Sequence, residues 1–232
     1  MLKILKIALW VLIVMTYPTN ILAGDSNQSS SSFNIFVGYG YFDYHEINNQ
    51  LDTYHQIDGI TTLPIVGLDL EYIYSNLILK NQLSSSYHEY KNNESWRKQN
   101  LTFWEIQDQI KIGYCTVNNQ NNRLFPFTGV LLQYLSIKTD FNYGIRCIDC
   151  FFQYNHEYSN FNIGILYGIS YELSLPFKNN FLQNINIGLD FVGIIPIQNR
   201  KWWFDGKETE NTTHVPKGNF RYFGNLKLTY QF

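Results

Sequence analysis

Charge is scarce in this chain. Only 16% of its 232 residues are charged, and 19 acids against 17 Lys and Arg leave a formal net of −2. No basic excess is on offer to a nucleic acid, which excludes that class of partner. Methionine (2) and cysteine (3) are also rare. Past Ala23 no run is apolar enough to cross a bilayer as a helix, so a helical membrane protein is excluded. A β-barrel is not, because its hydropathy signal per strand is weak.

Aromatics, by contrast, reach 17%, with 18 Tyr and 17 Phe, and Asn and Gln are abundant. That balance favours strands joined by polar loops over helices. The N-terminus reads as a secretory signal peptide, with an uncleaved N-terminal anchor as the alternative. Lys3 and Lys6 form a positive region, Ile7 to Met15 an apolar one, and Ile21-Leu22-Ala23 a cleavage site, so cleavage is expected after Ala23. Gly24 to Ser32 reads as a flexible polar lead-in.

From there the period is two, the signature of strands whose successive side chains face opposite ways. The predicted strands run over Phe33–Tyr44, Leu63–Tyr74, Leu77–Tyr90, Leu101–Val117, Leu124–Lys138, Asn160–Leu175, Phe181–Ile197 and the terminal stretch Phe220–Phe232. In the stretch that begins at Asn160, odd positions from Phe161 to Leu175 are all apolar or aromatic. The fifth is the least decisive, since Val130-Leu131-Leu132 is apolar on both sides. In the last, Tyr222, Leu226, Leu228, Tyr230 and Phe232 alternate with Asn225, Lys227, Thr229 and Gln231. Connections alternate between long and short. Long ones are expected at His45–Thr62, up to Asn100, at Thr139–Ser159 and at Gln198–Gly218, and short ones at Ser75-Asn76, Asn118–Asn122 and Pro176–Asn180. All long loops then fall on one side, and both termini with the short turns on the other.

These features resemble the small eight-stranded outer-membrane β-barrels of Gram-negative bacteria, of the OmpA transmembrane-domain and OmpX type. The resemblance implies an all-β, antiparallel up-and-down transmembrane barrel over residues 33–232, with four long extracellular loops and three short periplasmic turns. It implies a bacterial outer-membrane location, contact with outer-membrane lipid and lipopolysaccharide, and recognition of the last strand (Phe232 and Tyr230) by the barrel-assembly machinery. No peptidoglycan-binding domain follows, so that function of OmpA is not implied.

The soluble alternative is a secreted lipocalin-like ligand-binding barrel, which turns its apolar face inward. Three features favour an apolar face turned to lipid. The other face is small and polar (Gly38, Gly40, Gly67, Gly164, Gly168 and Gly188, with Asn, Gln and Ser). The apolar rows end in aromatics, Tyr39, Tyr41, Tyr87, Trp104 and Tyr222 at one level and Tyr72, Tyr74, Tyr114, Tyr230 and Phe232 at the other. The strands also exceed the ~9–11 residues a tilted crossing needs.

The predicted inward charges are Asp69, Glu71, Glu105, Glu172 and Asp190 with Lys80, Lys111 and Lys227. They are expected to pair as a structural polar core, an ion path being the functional alternative. Asn81 and Asp108 interrupt the outward rows of adjacent strands, which predicts a bulge, with a partner contact as the alternative.

The expected function is non-enzymatic, with loops serving adhesion, an extracellular or host ligand, or envelope integrity. An outer-membrane hydrolase, lipid A-modifying or protease-like, with a site at the rim is the alternative. Its candidates are His88 with Glu89 and the run His156 to Ser159, but no oxyanion or nucleophile-elbow signal accompanies them. No catalytic residue or cofactor is assigned. No metal site is either, since His45, His55 and His214 lack ligand spacing. Cys147 and Cys150 stand as C-x-x-C in the third long loop. A loop disulfide is the leading reading, over a redox pair, half a zinc site or free thiols.

Overall fold

The computed structural model describes residues 29–42, 62–94, 97–118, 121–144, 151–175, 184–198, 203–204, 207–208 and 222–232. Eight long strands build it: β1 (Ser29–Phe42), β2 (Thr62–Tyr74), β3 (Leu77–Glu94), β4 (Arg97–Tyr114), β5 (Asn122–Gly144), β6 (Phe151–Ser174), β7 (Ile185–Gln198) and β8 (Tyr222–Gln231). Each pairs antiparallel with its sequence neighbours, and β1 pairs antiparallel with β8, from Asn34↔Gln231 through Val37↔Leu228 to Phe42↔Phe223. The sheet therefore closes on itself as an eight-stranded antiparallel barrel with no free edge at the seam.

Alternation sorts the side chains. Val37, Tyr39, Val66, Tyr87, Ile112, Tyr114, Phe191, Ile195, Leu226 and Phe232 are exposed on the outside, while Asp69, Gln82, Glu105, Gln109, Lys111 and Asp190 are buried inside. A ligand-binding barrel of the soluble kind would show the reverse. The interior is layered. Leu63, Leu101, Phe103, Ile137, Val192 and Phe223 fill the end of the connections between β1 and β2, β3 and β4, β5 and β6, and β7 and β8. Ile78, Cys115 and Phe125 fill the opposite end, and the polar groups lie between.

A narrow barrel needs strands that coil sharply, and two glycines show why. A Cβ at Gly38 would run into the Leu226 carbonyl across the closing seam, with Lys227 Cα 3.0 Å away. At Gly67 the buried Phe36 ring occupies the space a side chain would take, its Cε1 2.7 Å from that Cβ position. Between β2 and β3 the Ser75-Asn76 turn is tight. Ser75 has φ 55°, the left-handed geometry that two-residue hairpin turns demand.

Several boundaries differ from the sequence reading. Part of the lead-in, Ser29–Ser32, is strand and pairs with Glu71–Tyr74. The loop expected up to Asn100 is mostly paired strand, with Glu94↔Arg97 ending an 18-residue β3 and an 18-residue β4. The loop expected at Thr139–Ser159 is likewise a hairpin: β5 and β6, of 23 and 24 residues, stay in register up to Gly144↔Phe151. Residues 91–100 are rich in Asn, Lys and Glu, and residues 151–159 mix polar and aromatic side chains without strict alternation, so the period is blurred. Cross-strand pairing makes them strands.

No bulge accompanies Asn81 and Asp108. The β3–β4 register runs unbroken through Asn81↔Ile110 and Leu83↔Asp108. The irregularity lies instead between β6 and β7, where pairing shifts from Ile163↔Gln198 to Gly164↔Pro196. Pro196 has no N–H to donate to a ladder, and it sits where the register slips. β4 ends at Tyr114, and Val117–Asn118 form a short ladder with Arg123–Leu124. Cys147 and Cys150, with His45, His55 and His214, lie outside the described residues.

Candidate functional site

Two regions carry the chemistry: the polar middle of the barrel and the sheet that rises above its rim. Inside, neighbouring strands set opposite charges side by side, as in Glu71↔Lys80 and Arg123↔Glu172. Lys80 Nζ lies 3.2 Å from Asp69, 3.5 Å from Glu71 and 2.8 Å from Glu172. Arg123 bridges two of the same acids, reaching Glu71 at 2.7 Å and Glu172 through its other nitrogen. Asp190 is the second centre. It receives Lys227 at 2.7 Å, Lys111 at 3.3 Å and the Ser170 hydroxyl at 2.6 Å. Gln82 Oε1 accepts from both lysines, at 2.9 Å from Lys111 and 3.3 Å from Lys227. Each of these lysines also sits over an aromatic ring, Lys111 over Phe127 at 4.9 Å and Lys227 over Phe36 at 5.2 Å.

Nearer the rim the interior turns from ions to amides. Glu105 accepts from Gln107 Nε2 at 2.6 Å and from Gln133 Nε2. Gln109 donates to Gln107 at 2.7 Å, and Asn162 to Gln133 at 3.1 Å. A buried charge is tolerated only when paired and hydrogen-bonded. Here Lys80, Lys111, Arg123 and Lys227 meet Asp69, Glu71, Glu172 and Asp190, four cations for four carboxylates, while Glu105 accepts from amides. Asp69, Glu71, Lys80, Glu105, Lys111, Asp190 and Lys227 are buried, and Glu172 is mostly buried. Arg123 joins them unforeseen: it stands beside a predicted turn, and only its register with Glu172 reveals it. The amides Gln82 and Gln107 were legible as inward positions but not as partners of particular charges, and Gln133 lies on the strand whose faces alternation did not sort.

Above the rim, β3–β6 form a continuous four-stranded sheet. Tyr87, Trp104 and Ser136 stand roughly level in it. Beyond Ser136, β5 continues to Gly144, on the order of 25 Å farther along the strand at ~3.3 Å per residue. Among the described residues, its two side edges are only partly covered. The β2 ladder on β3 stops at Ile65↔Ser86, and β7 leaves β6 at Ile163↔Gln198. Farther up β6, Trp203–Phe204 pair with Ser159–Tyr158 and in turn with Lys207–Glu208.

The candidate catalytic groups fall in this sheet. His156 and Ser159 are strand residues of β6, in register with Thr139 and Ser136. Glu89 faces away from His88 and binds Lys91 at 2.8 Å, which raises the lysine's pKa.

The sequence matches no protein-family model, and no curated protein is similar enough in sequence to count as a relative. Solved structures do match in fold. A major outer membrane protein from Thermus thermophilus superposes with a TM-score of 0.52 at 9% identity, over 88% of this chain and all (100%) of that one. The attachment invasion locus protein Ail of Yersinia pestis matches with a TM-score of 0.38 at 10% identity, over 88% of this chain and 99% of that one. The outer membrane protease OmpT from Escherichia coli matches at 0.37 and 10% identity, over 92% and 100%. At such identities the likeness is one of fold, carried by the first of the three. Closed, antiparallel, apolar outside and polar within, the chain has the fold of the outer-membrane β-barrels.

Proposed function

We propose that this chain is a non-enzymatic outer-membrane barrel that holds the β3–β6 sheet outside the cell for contact with an extracellular or host ligand. The observation that carries this reading is the sheet's height. A crossing needs only ~9–11 residues, and β5 and β6 have 23 and 24. The surplus is regular, hydrogen-bonded backbone whose side edges are only partly paired among the described residues, and an unpaired edge accepts an added strand from a partner. The apolar exterior between its two rows of aromatics supports a bilayer location, with lipid and lipopolysaccharide around the barrel. In this reading the leader ends at Ala23, and the assembly machinery reads Tyr230 and Phe232. The rim hydrolase is less favoured, because neighbours on a strand face opposite ways and His88 and Glu89 therefore cannot serve one site.

Heat-modifiable gel mobility together with protease treatment of intact cells tests fold, membrane and orientation at once. The reading expects cleavage near residues 145–150 and protection of the strands. Adherence or ligand capture by cells carrying the full chain is then compared with that of cells whose β5–β6 hairpin is cut back to Ser136 and Ser159. Equal capture by both, with equal surface display, sinks the contact reading.

A further inference from the structure

Inside the barrel, four polar side chains on adjacent strands line up in one row. The register sets Asn34 of β1 beside Asp69 of β2, Asp69 beside Gln82 of β3, and Gln82 beside Gln109 of β4. Asp69, Gln82 and Gln109 have no exposed surface, and Asn34 is 5% exposed. Their known partners lie elsewhere in the interior. Asn34 Nδ2 donates to Ser32 Oγ at 3.5 Å, and Gln109 Nε2 donates to Gln107. Gln82 Oε1 accepts from Lys111 and Lys227. One Asp69 oxygen has Lys80 at 3.2 Å, an ammonium group that Glu71 and Glu172 share.

The remaining polar atoms of the row have no hydrogen-bond partner among the described residues. They are Asn34 Oδ1, Asp69 Oδ1 and Oδ2, Gln82 Nε2 and Gln109 Oε1. Other such atoms are spread over the barrel, whereas these share one row. A buried polar atom that nothing meets costs ~1–3 kcal/mol, so a row of them calls for a common ligand.

The chemistry of the row selects that ligand. Four of its atoms are acceptors and one, Gln82 Nε2, is a donor. A cation would oppose the Gln82 N–H and the Lys80 ammonium beside Asp69. An anion would oppose the Asp69 carboxylate. A small neutral molecule that donates twice and also accepts meets every atom, and that molecule is water. Two waters suffice. Together they donate four O–H groups, to Asn34 Oδ1, both Asp69 oxygens and Gln109 Oε1, and one of them accepts from Gln82.

We infer that the row Asn34–Asp69–Gln82–Gln109 is a hydration site that holds two water molecules as fixed parts of the lumen. They complete the solvation of Asp69, which a lysine shared among three acids does not. The site is closed to bulk solvent, because the apolar layers of Leu101 and Phe103 at one end and of Ile78 and Phe125 at the other lie beyond it. Its waters therefore exchange slowly. The inference rests on the closed barrel alone and not on the contact reading above.

The test uses the full chain refolded in micelles and reads magnetisation transfer from water to side-chain amide protons by NMR. Gln107 is the internal control, since its Nε2 donates to Glu105 at 2.6 Å. A cross-peak from long-lived water is expected at Gln82 and absent at Gln107. No cross-peak at Gln82, or equal ones at both residues, overturns the site. This comparison is made on the unaltered chain and needs no variant to fold. Asn34→Leu with Gln109→Leu removes two of the four acceptors, and loss of the Gln82 cross-peak is expected with heat-modifiable mobility unchanged. A cross-peak of full strength in that variant overturns the shared pair of waters. Shifts of the Asn34 and Gln82 amide signals on exchanging sodium for potassium assign the row to a cation and overturn the proposal as well.

Discussion

Lys80 and Lys111 are directly opposed on β3 and β4, yet their ammonium groups serve different acids. Lys80 turns to Asp69, Glu71 and Glu172, and Lys111 to Asp190. Like charges placed opposite one another destabilise a sheet unless each is drawn off to a counter-ion. The barrel supplies those acids from β2, β6 and β7, so closure of the sheet makes this pair tolerable.

The two lysines should therefore respond unequally to removal. Lys80→Met leaves Glu71 and Glu172 to Arg123 and removes the cation beside Asp69, whereas Lys111→Met leaves Asp190 with Lys227. Breaking a buried ion pair costs ~3–5 kcal/mol, and Lys80→Met is expected to reach that range while Lys111→Met falls below it. Urea midpoints of the refolded barrel in micelles check the order; equal losses contradict the pairing described.

A filled interior predicts an electrical result. In planar bilayers the folded barrel should show no large steady conductance, since Lys80, Lys111, Arg123 and their acids lie between apolar layers at either end. A large, stable open level at low voltage would falsify the packed interior.

At the seam, Gly38→Ala should destabilise by ~1–3 kcal/mol, the usual range for overpacking, because its methyl meets the Leu226 backbone. Gly188→Ala is the control. Its new methyl finds its nearest neighbour, Lys227 Cε, at 3.5 Å, an ordinary contact. The temperature at which gel mobility shifts should fall for the first variant and barely move for the second.

Ser75→Gly should act in the opposite direction. Serine holds φ 55° in the β2–β3 turn, a conformation glycine adopts without its Cβ penalty. A gain of about 0.5–1 kcal/mol is expected after glycine's extra unfolded-state entropy is counted. An unchanged or lowered urea midpoint would show that the turn is not strained.

Phe232 packs against Phe33 with ring centroids 5.8 Å apart and against Tyr230 at 4.9 Å. If its main role is recognition during assembly, Phe232→Ser lowers membrane-inserted yield in cells far more than it lowers the urea midpoint in micelles. Normal insertion with a large midpoint loss assigns the ring to packing instead.

How far the sequence carries is visible in particular residues. The closing seam was legible: alternation at Ile35–Tyr41 and at Gly224–Tyr230 sets two strands with matching apolar faces, and Ile35↔Tyr230 and Tyr41↔Gly224 are the pairs formed. The polar pair on the outer wall, Asn81 and Asp108, was legible as an anomaly but misread as a bulge; Asn81 Nδ2 donates to Asp108 Oδ1 at 3.2 Å. An interruption of the pattern cannot by itself distinguish a register slip from two polar side chains that find each other across strands.

Period-two alternation determined the strand number and divided most strands into two faces, because side-chain direction in a strand depends only on parity; it did not place Arg123 inside, and the aromatic rows and small polar residues had to tell which face looks outward. Tertiary structure decided the rest. Thr139–Gly144 and Phe151–Ser159 become strands because each finds the other as a hydrogen-bonding partner, something no local pattern encodes. Lys80 meets Glu172 across 92 positions of chain, and Arg123 enters the ion cluster through its register with that same residue. Which charge meets which is fixed by the register around a closed barrel, and register belongs to the whole sheet.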